Sequence, residues 1–460
     1  MATGDFDLYY SDNPWEVMDK NQRTWYDPEL ISLFRQRALF TPTIQFVKNL
    51  ADVRATKMVL NQFLDPHPDT TQLAVRQIWM PASHVDSRQV EIVFNRYGGK
   101  VAYTIYDDLV TYWKQDGREG LRMLMRGALG YHMVDVLDYL ARNAYISGAL
   151  SSGYELYQGG GSDFNALATT DLFDITTALD IWLGMASRDI ASALGPAGAA
   201  NNIICYTSPS VIYDIQKGTS SDEWITINQY EGRVQLLRYE VGAYKNVRFV
   251  QSPKLTLWNS GALVAQGSVD SAISAGDGAP DPGTTKVDAT YMVGQSSAGI
   301  TNYISVGSWG TGALSDIEVN DIITIHTTRT ANYGITNGVD FTEGTLTNRR
   351  VVAKSTSPDR IVLDKPIMID MTTDLGAGVY AYVTKARNIQ SSIFIGGPQG
   401  IVSGVAMAPR FHAPPPVDDF EMVQRFSWDA YMGHQPYAPE VFEVVFSAGT
   451  TRVKGEAKVV

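Results

Sequence analysis

The chain has 460 residues, of which 44% are hydrophobic and 19% charged, and it carries a net charge of −12 from 37 Lys+Arg against 49 Asp+Glu. That balance excludes general disorder, and the length predicts roughly two to four structural units with at least one sizeable core. The acid excess argues against a protein whose main task is to grip phosphate backbones, and a single cysteine, Cys205, excludes both an intrachain disulfide and a Cys-rich metal site.

The opening residues, Met1-Ala2-Thr3-Gly4-Asp5-Phe6-Asp7, have neither basic nor apolar signal character, so export is not expected. No run approaches the ~18 apolar residues of a membrane span. Residues 1–70 read as an extended arm with one helix, because Asp27-Pro28-Glu29 supplies a cap, a first-turn proline and an early acid, and Thr41-Pro42 stops it. The arm is dense in aromatics (Trp15, Trp25, Tyr26, Phe34 and Phe40 among them), and one short helix offers little surface on which to bury them. It must pack on its own body or on a neighbouring subunit.

Residues 72–112 alternate like strands, with Leu73, Val75 and Ile78 before Pro81, then Val90, Ile92, Phe94, Val101, Tyr103 and Ile105 after it. A long hairpin is the simplest arrangement, its tip at Pro81–Arg88 or at Tyr97-Gly98-Gly99-Lys100. An isolated hairpin is marginal in water and needs a partner surface. From Arg118 to Ala149 the period turns helical, with Leu121, Met125, Leu129, Met133, Val136, Leu140, Ala144 and Gly148 on one stripe and no proline. A helix of about 30 residues is about 45 Å long, suited to being a spine that several elements cross.

Residues 165–255 read as α/β: a helix through Leu172, Leu179, Trp182 and Met185 ending at Gly195-Pro196, a buried strand Ile203–Tyr206, a helix opened by Ser208-Pro209, then strands at Gln235–Gly242 and Val247–Val250. At about Leu255 the composition shifts to Gly, Ser, Thr, Ala and Asp, with short strands at Tyr303–Val306, Asp321–Ile325, Arg350–Ala353, Arg360–Leu363 and Tyr380–Val383. This predicts a small β sandwich or barrel inserted into the α/β region. The chain returns through Ser391–Gly397 and closes with strand-like runs over Met422–Met432 and Val441–Ala448.

The search for chemistry returns structural explanations. His132 and Asp135 sit one turn apart on the spine helix, without a second histidine at metal-ligand spacing. Asp107-Asp108 face opposite ways if they lie on a strand. Ser403 misses the nucleophile-elbow pattern by one place, and Cys205 reads as an inert core thiol. Gly276-Asp277-Gly278 with Asp281 lacks the ligand spacing and terminal Glu of a calcium loop. Gly159-Gly160-Gly161 and Gly396-Gly397-Pro398-Gln399-Gly400 do not match a phosphate-cradling loop. No catalytic, cofactor-binding or metal residues are assigned, and no enzyme activity is expected.

The order of arm, hairpin, spine helix, α/β body, inserted β domain and return strands resembles the major capsid proteins of tailed bacteriophages, the HK-ninety-seven-like fold. The stretch Gly130-Tyr131-His132-Met133-Val134-Asp135-Val136-Leu137-Asp138-Tyr139-Leu140, leading to Ala144-Tyr145-Ile146-Ser147-Gly148-Ala149, looks like that family's spine helix. Tyr206–Ile215, Gly232-Arg233-Val234 and Glu240-Val241-Gly242 to Val247-Arg248-Phe249-Val250-Gln251 look like its axial domain, with Gln251 where an acid is expected. The nearest likeness is to the major capsid family of N-four-type podophages, over most of the chain outside 255–390.

The resemblance implies an α+β fold with residues 1–70 as the N-terminal arm, 72–117 as the extended loop, 118–160 and 415–460 as the peripheral domain, 161–255 and 388–414 as the axial domain, and 256–387 as the inserted β domain. It implies self-assembly into hexamers and pentamers of an icosahedral shell, in the virion, after assembly in the host cytoplasm. The partners it implies are the chain itself, a portal protein, scaffolding or decoration proteins, and packaged DNA held nearby without sequence-specific binding; no membrane is involved. The alternatives are a portal or tail protein, or a glycan-active enzyme relying on Asp107, Asp108 or His132.

Overall fold

The computed structural model describes residues 38–44, 46–49, 57–63, 86–104, 121–188, 190, 203–218, 225–226, 239–244, 247–269, 273–274, 291–292, 303–326, 335–336, 339–340, 346–356, 359–363, 375, 378–397, 399–413 and 423–449. The helix expected at residues 27–39 falls almost wholly outside these residues. The strand at Leu73–Ile78, the pair Asp107-Asp108 and the Gly276–Asp281 stretch lie outside them altogether.

In chain order, the first strands are β1 (Phe46–Asn49), β2 (Lys57–Phe63), β3 (Ser87–Val93) and β4 (Asn95–Thr104), followed by the long helix α1 (Leu121–Ser152). Next come β5 (Glu155–Tyr157), α2 (Ile175–Ser187), β6 (Ile203–Thr207), α3 (Pro209–Gly218), β7 (Glu240–Tyr244) and β8 (Val247–Gln251). The inserted region holds β9 (Leu263–Val269), β10 (Tyr303–Ser305), β11 (Ser308–Thr311), β12 (Ile322–His326), β13 (Leu346–Thr356), β14 (Asp359–Leu363) and β15 (Ala381–Ala386). The chain returns through β16 (Ile389–Ile395), β17 (Ile401–His412), β18 (Val423–Pro436) and β19 (Phe442–Ser447), alongside several two-residue ladders. The fold is α+β.

Two sheets share α1. A central sheet runs β5-β19-β16-β6-β8-β7, with the two-residue strand Ile225–Thr226 at its edge, and buries α2 and α3 against Cys205, Phe249, Phe394 and Val445. A four-stranded sheet runs β1-β17-β18-β4. Two assignments change as a result. β17, expected in the axial domain, belongs to the four-stranded sheet, and β19, expected in the peripheral domain, lies in the central sheet between β5 and β16. Two nearly consecutive strands that enter different sheets differ in nothing that strand periodicity records.

The hairpin also differs from expectation. β2 pairs antiparallel with β3 from Lys57↔Val93 to Phe63↔Ser87, so its outgoing strand lies within the segment read as arm. Tyr97-Gly98-Gly99-Lys100 is no turn: it sits mid-strand in β4, paired with Ala430, Asp429, Trp428 and Ser427 of β18. The glycines are there for close approach. A Cβ on Gly99 would stand 2.8 Å from the Trp428 indole nitrogen and 2.9 Å from the His132 ring, and one on Gly98 would stand 2.7 Å from the Trp428 carbonyl oxygen.

The inserted region has a core of its own, built on Val269, Ile304, Ile317, Ile323, Ile325, Val351, Ile361 and Val383. Its seven strands run β10-β14-β13-β12-β15-β9-β11. The two terminal strands of this path, β10 and β11, follow each other in the chain across Val306-Gly307 alone, and Val306 N–H and Gly307 N–H donate to Asp359 and Ser268 carbonyls on opposite ends of the sheet. The sheet is therefore curled until its edges meet, a small barrel that leaves little edge exposed.

Replacing Gly99 with Val drives a branched side chain into Trp428 and His132 and is expected to cost about 1–3 kcal/mol. Gly127→Ala, on an exposed turn of α1 where a Cβ meets nothing within 4 Å, is expected to stabilise by about 0.5–1 kcal/mol. Thermal melts of the two variants should move in opposite directions.

Candidate functional site

Two features organise the surfaces that could meet other chains: an anchor that holds the start of the described chain, and a sheet covered on one face by α1 and partly on the other by the β2–β3 hairpin. The anchor is a carboxylate. Asp138, fully buried on α1, accepts the backbone N–H groups of Leu39, Phe40 and Thr41 through Oδ1 at 2.8, 2.7 and 3.1 Å. Its Oδ2 takes the Lys254 ammonium at 2.9 Å, and Lys254 also donates to Asp135 at 3.0 Å. Arg142, buried one turn along, donates to the Lys254 carbonyl at 2.5 Å, and both cations lie against the Tyr139 ring.

Behind this cluster the Thr43 hydroxyl meets the Tyr145 hydroxyl at 2.9 Å, and burial pushes the Tyr145 phenol well above its ordinary range. Leu39, Phe40 and Ile44 pack with Ala141, Tyr145, Tyr206 and Phe442 in the largest core cluster. The end of the arm therefore finds its surface within its own subunit, which corrects, for residues 39–44, the alternative of packing on a neighbour.

The hairpin is two-faced. Met58, Leu60, Val90 and Ile92 turn inward with Phe94 and pack on Val402, Ala406 and Tyr437, at the face of the four-stranded sheet opposite α1. Gly433 admits this contact, since a Cβ there would collide with the Val93 carbonyl. Arg88 fastens the far end, donating to the Tyr437 carbonyl at 2.6 Å and pairing with Glu440 at 3.4 Å. The other face shows Val59, Phe63 and Val93, 49%, 75% and 46% exposed. β2 and β3 pair with each other and with no other described strand.

The remainder of that sheet face is cationic. Asp429 on β18 is 6% exposed and accepts Arg410 and His412 on Oδ1 at 3.1 and 2.6 Å, and Arg96 on Oδ2 at 3.0 Å. Burial raises its pKa, but the hydrogen bonds from His412, Arg410 and Arg96 and the Arg410 charge outweigh this and hold the carboxyl down at about 2. On the opposite face of β18, Phe426, Trp428 and Ala430 pack on Leu129, Met133 and Val136 of α1. His434 extends that dry face: both ring nitrogens are buried, and burial drops the imidazole to about 4.

The sequence candidates are scattered. His132 accepts the Trp428 indole N–H at 3.2 Å while Asp135 turns to Lys254, so the two do not form a pair. Cys205 is fully buried and its thiol is pushed well up by burial. Ser403 is buried mid-strand in β17, cross-strand from His434. Among the described residues no three His, Cys, Asp or Glu side chains cluster to hold a metal ion, and no helix is long and apolar enough to cross a membrane. A small cavity of about 140 Å³ opens on the barrel between Gln266, Ser268, Ser308 and Tyr382, with no charged side chain in its lining among the described residues.

No family model matches the sequence, and no curated protein matches it. Among solved structures the chain is similar to the capsid of Ralstonia phage GP4, at 11% identity over 94% of this chain and 97% of that one, with a TM-score of 0.49. It is also similar to the capsids of the cyanophages P-SCSP1u, at 9% identity over 93% of each chain, and Pam1, at 11% identity over 94% of this chain and 98% of that one; both have a TM-score of 0.47.

Removing the anchor takes the acceptor from three backbone N–H groups and one of two carboxylates from the buried Lys254 ammonium, which keeps Asp135, so Asp138→Ala is expected to lose about 2–4 kcal/mol. It should also open residues 38–44 to protease under native conditions, which timed digestion reads. Asp429 generates a pH signature. Its folded pKa lies below the usual carboxylate value near ~3.9, so its stabilisation is complete above about pH 4 and is lost as pH falls through about 2. The melting difference between wild type and Asp429→Asn should shrink as pH falls from 4 through about 2.

Proposed function

We propose that this chain is a shell subunit, the major capsid protein of a tailed bacteriophage, whose activity is to assemble into hexamers and pentamers around double-stranded DNA. The observation that carries this is the hairpin: a two-stranded ribbon whose inner face is spent on its own subunit while its outer face keeps Val59, Phe63 and Val93 in water. Exposed apolar groups on a ribbon face, here interleaved with Lys57, Asn61, Gln89 and Glu91, offer a surface suited to another chain. A subunit with one cysteine and no described metal cluster must gain shell stability from many such non-covalent contacts, each weak and all repeated by symmetry.

In this reading α1 with the four-stranded sheet forms the peripheral layer, the central sheet with α2 and α3 forms the axial domain, and the barrel is an elaboration. A portal protein, scaffolding or decoration proteins and DNA held without sequence-specific contacts complete the proposed partners. The proposed location is the virion, after assembly in the host cytoplasm. No catalytic role is proposed for His132, Asp107 or Asp108.

Electron microscopy of the purified full-length protein tests this reading. Closed polyhedral particles, or hexameric and pentameric capsomers, are expected. Monodisperse monomers at high concentration, or rings of a single fixed order, would overturn it.

A further inference from the structure

In the joint between α1 and the four-stranded sheet, the even-numbered residues of β18 face the helix. Phe426, Trp428 and Ala430 pack on its first half, and at the other end Pro436 lies where a Cβ on Gly148 would come within 3.0 Å. His434 shares this parity, two residues before Pro436. It therefore stands between two apolar clusters, one built on Leu129 and Trp428, the other on Ala144, Tyr145, Ile401 and Phe442. Part of its surface reaches solvent, yet both ring nitrogens, where a charge would be solvated, are buried and have no hydrogen-bond partner.

The surrounding elements supply no counter-charge. Ser403, cross-strand on β17, brings one neutral hydroxyl. On α1, Asp135 and Asp138 are taken by Lys254, and Asp138 also by residues 39–41; Arg142 is taken by the Lys254 carbonyl and Asn143, the Tyr145 hydroxyl by Thr43, and His132 by the Trp428 indole. Beyond the strand end, Glu440 turns to Arg88 and Glu443 to Arg188. Arg96, Lys100, Arg410, His412, Arg425 and Asp429 stand on the opposite face of the sheet, since their strand neighbours Tyr97, Val101, Phe426 and Trp428 face the helix. Lys48 of β1, in register with Gly404 beneath the hairpin, is on that far face too.

A neutral imidazole tolerates such a place. The imidazolium has two N–H donors and a charge, and holding it there unpaired is costly. Packing beside it is tight, as Cβ atoms on Gly148 and Gly400 would each stand 2.8 Å from the Phe442 ring. We propose that His434 makes this joint acid-sensitive: on protonation the ring moves out to water, and β17 and β18 part from α1 near Gly148, while the Asp138 anchor, which uses neither strand, stays closed.

Acid is the direction that opens the joint. Burial takes the imidazole from its ordinary value of 6.5 to about 4, so the open form binds the proton first. The closed joint is at full strength above about pH 6.5 and weakens as pH falls from there to about 4, the ratio of open to closed rising up to about tenfold per pH unit. Asp429 acts below about pH 4, so the two windows are separate.

Amide hydrogen exchange of the full-length protein between pH 7 and 4.5, read by mass spectrometry and corrected for intrinsic rates, tests this. Peptides covering 401–405 and 432–436 are expected to lose protection about tenfold or more by pH 4.5 and to regain it at pH 7, while 203–207 and 247–251 in the central sheet keep theirs. His434→Leu should hold the same peptides protected across the range. Loss in that variant equal to wild type, or protection in wild type that ignores pH, would overturn the proposal. If the leucine variant does not fold, imidazole C2 exchange in the wild-type chain decides: His434 is expected to titrate well below its ordinary value, and titration near about 6.5 sinks the idea. Neither measurement depends on assembly into particles.

Discussion

The architecture hangs on one buried carboxylate. Asp138 is surrounded by donors that come from two distant parts of the sequence: the backbone of residues 39–41, and the side chain of Lys254, which lies on the segment that leads from the central sheet into the barrel. A carboxylate in a dry core is tolerable only when its lone pairs are taken, and here two oxygens meet three N–H groups and an ammonium. The consequence is geometric. Wherever α1 goes, the chain entering at Leu39 and the chain leaving at Lys254 go with it, so the helix acts as the common reference for the four-stranded sheet, the central sheet and the entrance to the barrel.

Around that reference the layers are set by side-chain size. At Gly99 the sheet comes close enough for the Trp428 indole to donate to His132, and at Gly433 it comes close enough on the other side for the hairpin backbone to lie on it. The result is a three-layer stack of helix, sheet and ribbon in which the ribbon's last face has no partner among the described residues. Packing beneath that face holds the ribbon in place, so covering the face would cost less conformational entropy than ordering a loose hairpin.

Much of this was legible in the residues, and what was not has a physical reason. The long apolar period without proline placed the spine helix at 118–149, against 121–152 in the structure, since period and length are local properties. The buried run Ile203–Tyr206 and the helix opened by Ser208-Pro209 likewise carry their own signals. Gly98-Gly99 misled because glycine marks either a turn or a close approach, and only the partner, Trp428 from more than 300 residues on, decides between them. The roles of Asp138 and Lys254 were invisible for the same reason: 116 residues separate them, and each alone reads as a charged surface residue. Sheet membership of β17 and β19 depends on pairing, which periodicity does not encode.

The barrel shows how an insertion can be large without disturbing this order. Its entry and exit are zipped together, with Gly261 N–H donating to the Arg387 carbonyl at 2.8 Å and Arg387 N–H to the Ala262 carbonyl at 3.0 Å. Asn259, held at φ 53°, bonds inward to Ile322 and Thr324 and outward to the Ala386 N–H, so one buried amide closes the neck. With its ends this close and its apolar residues gathered in a separate core, the barrel adds a folded unit at a single point, between the ends of two inner strands of the central sheet, β8 and β16. The host sheet keeps β8 and β16 on either side of β6 whether the loop between them is short or long. What the insertion changes is the outer surface, and there it contributes a closed module with little free strand edge.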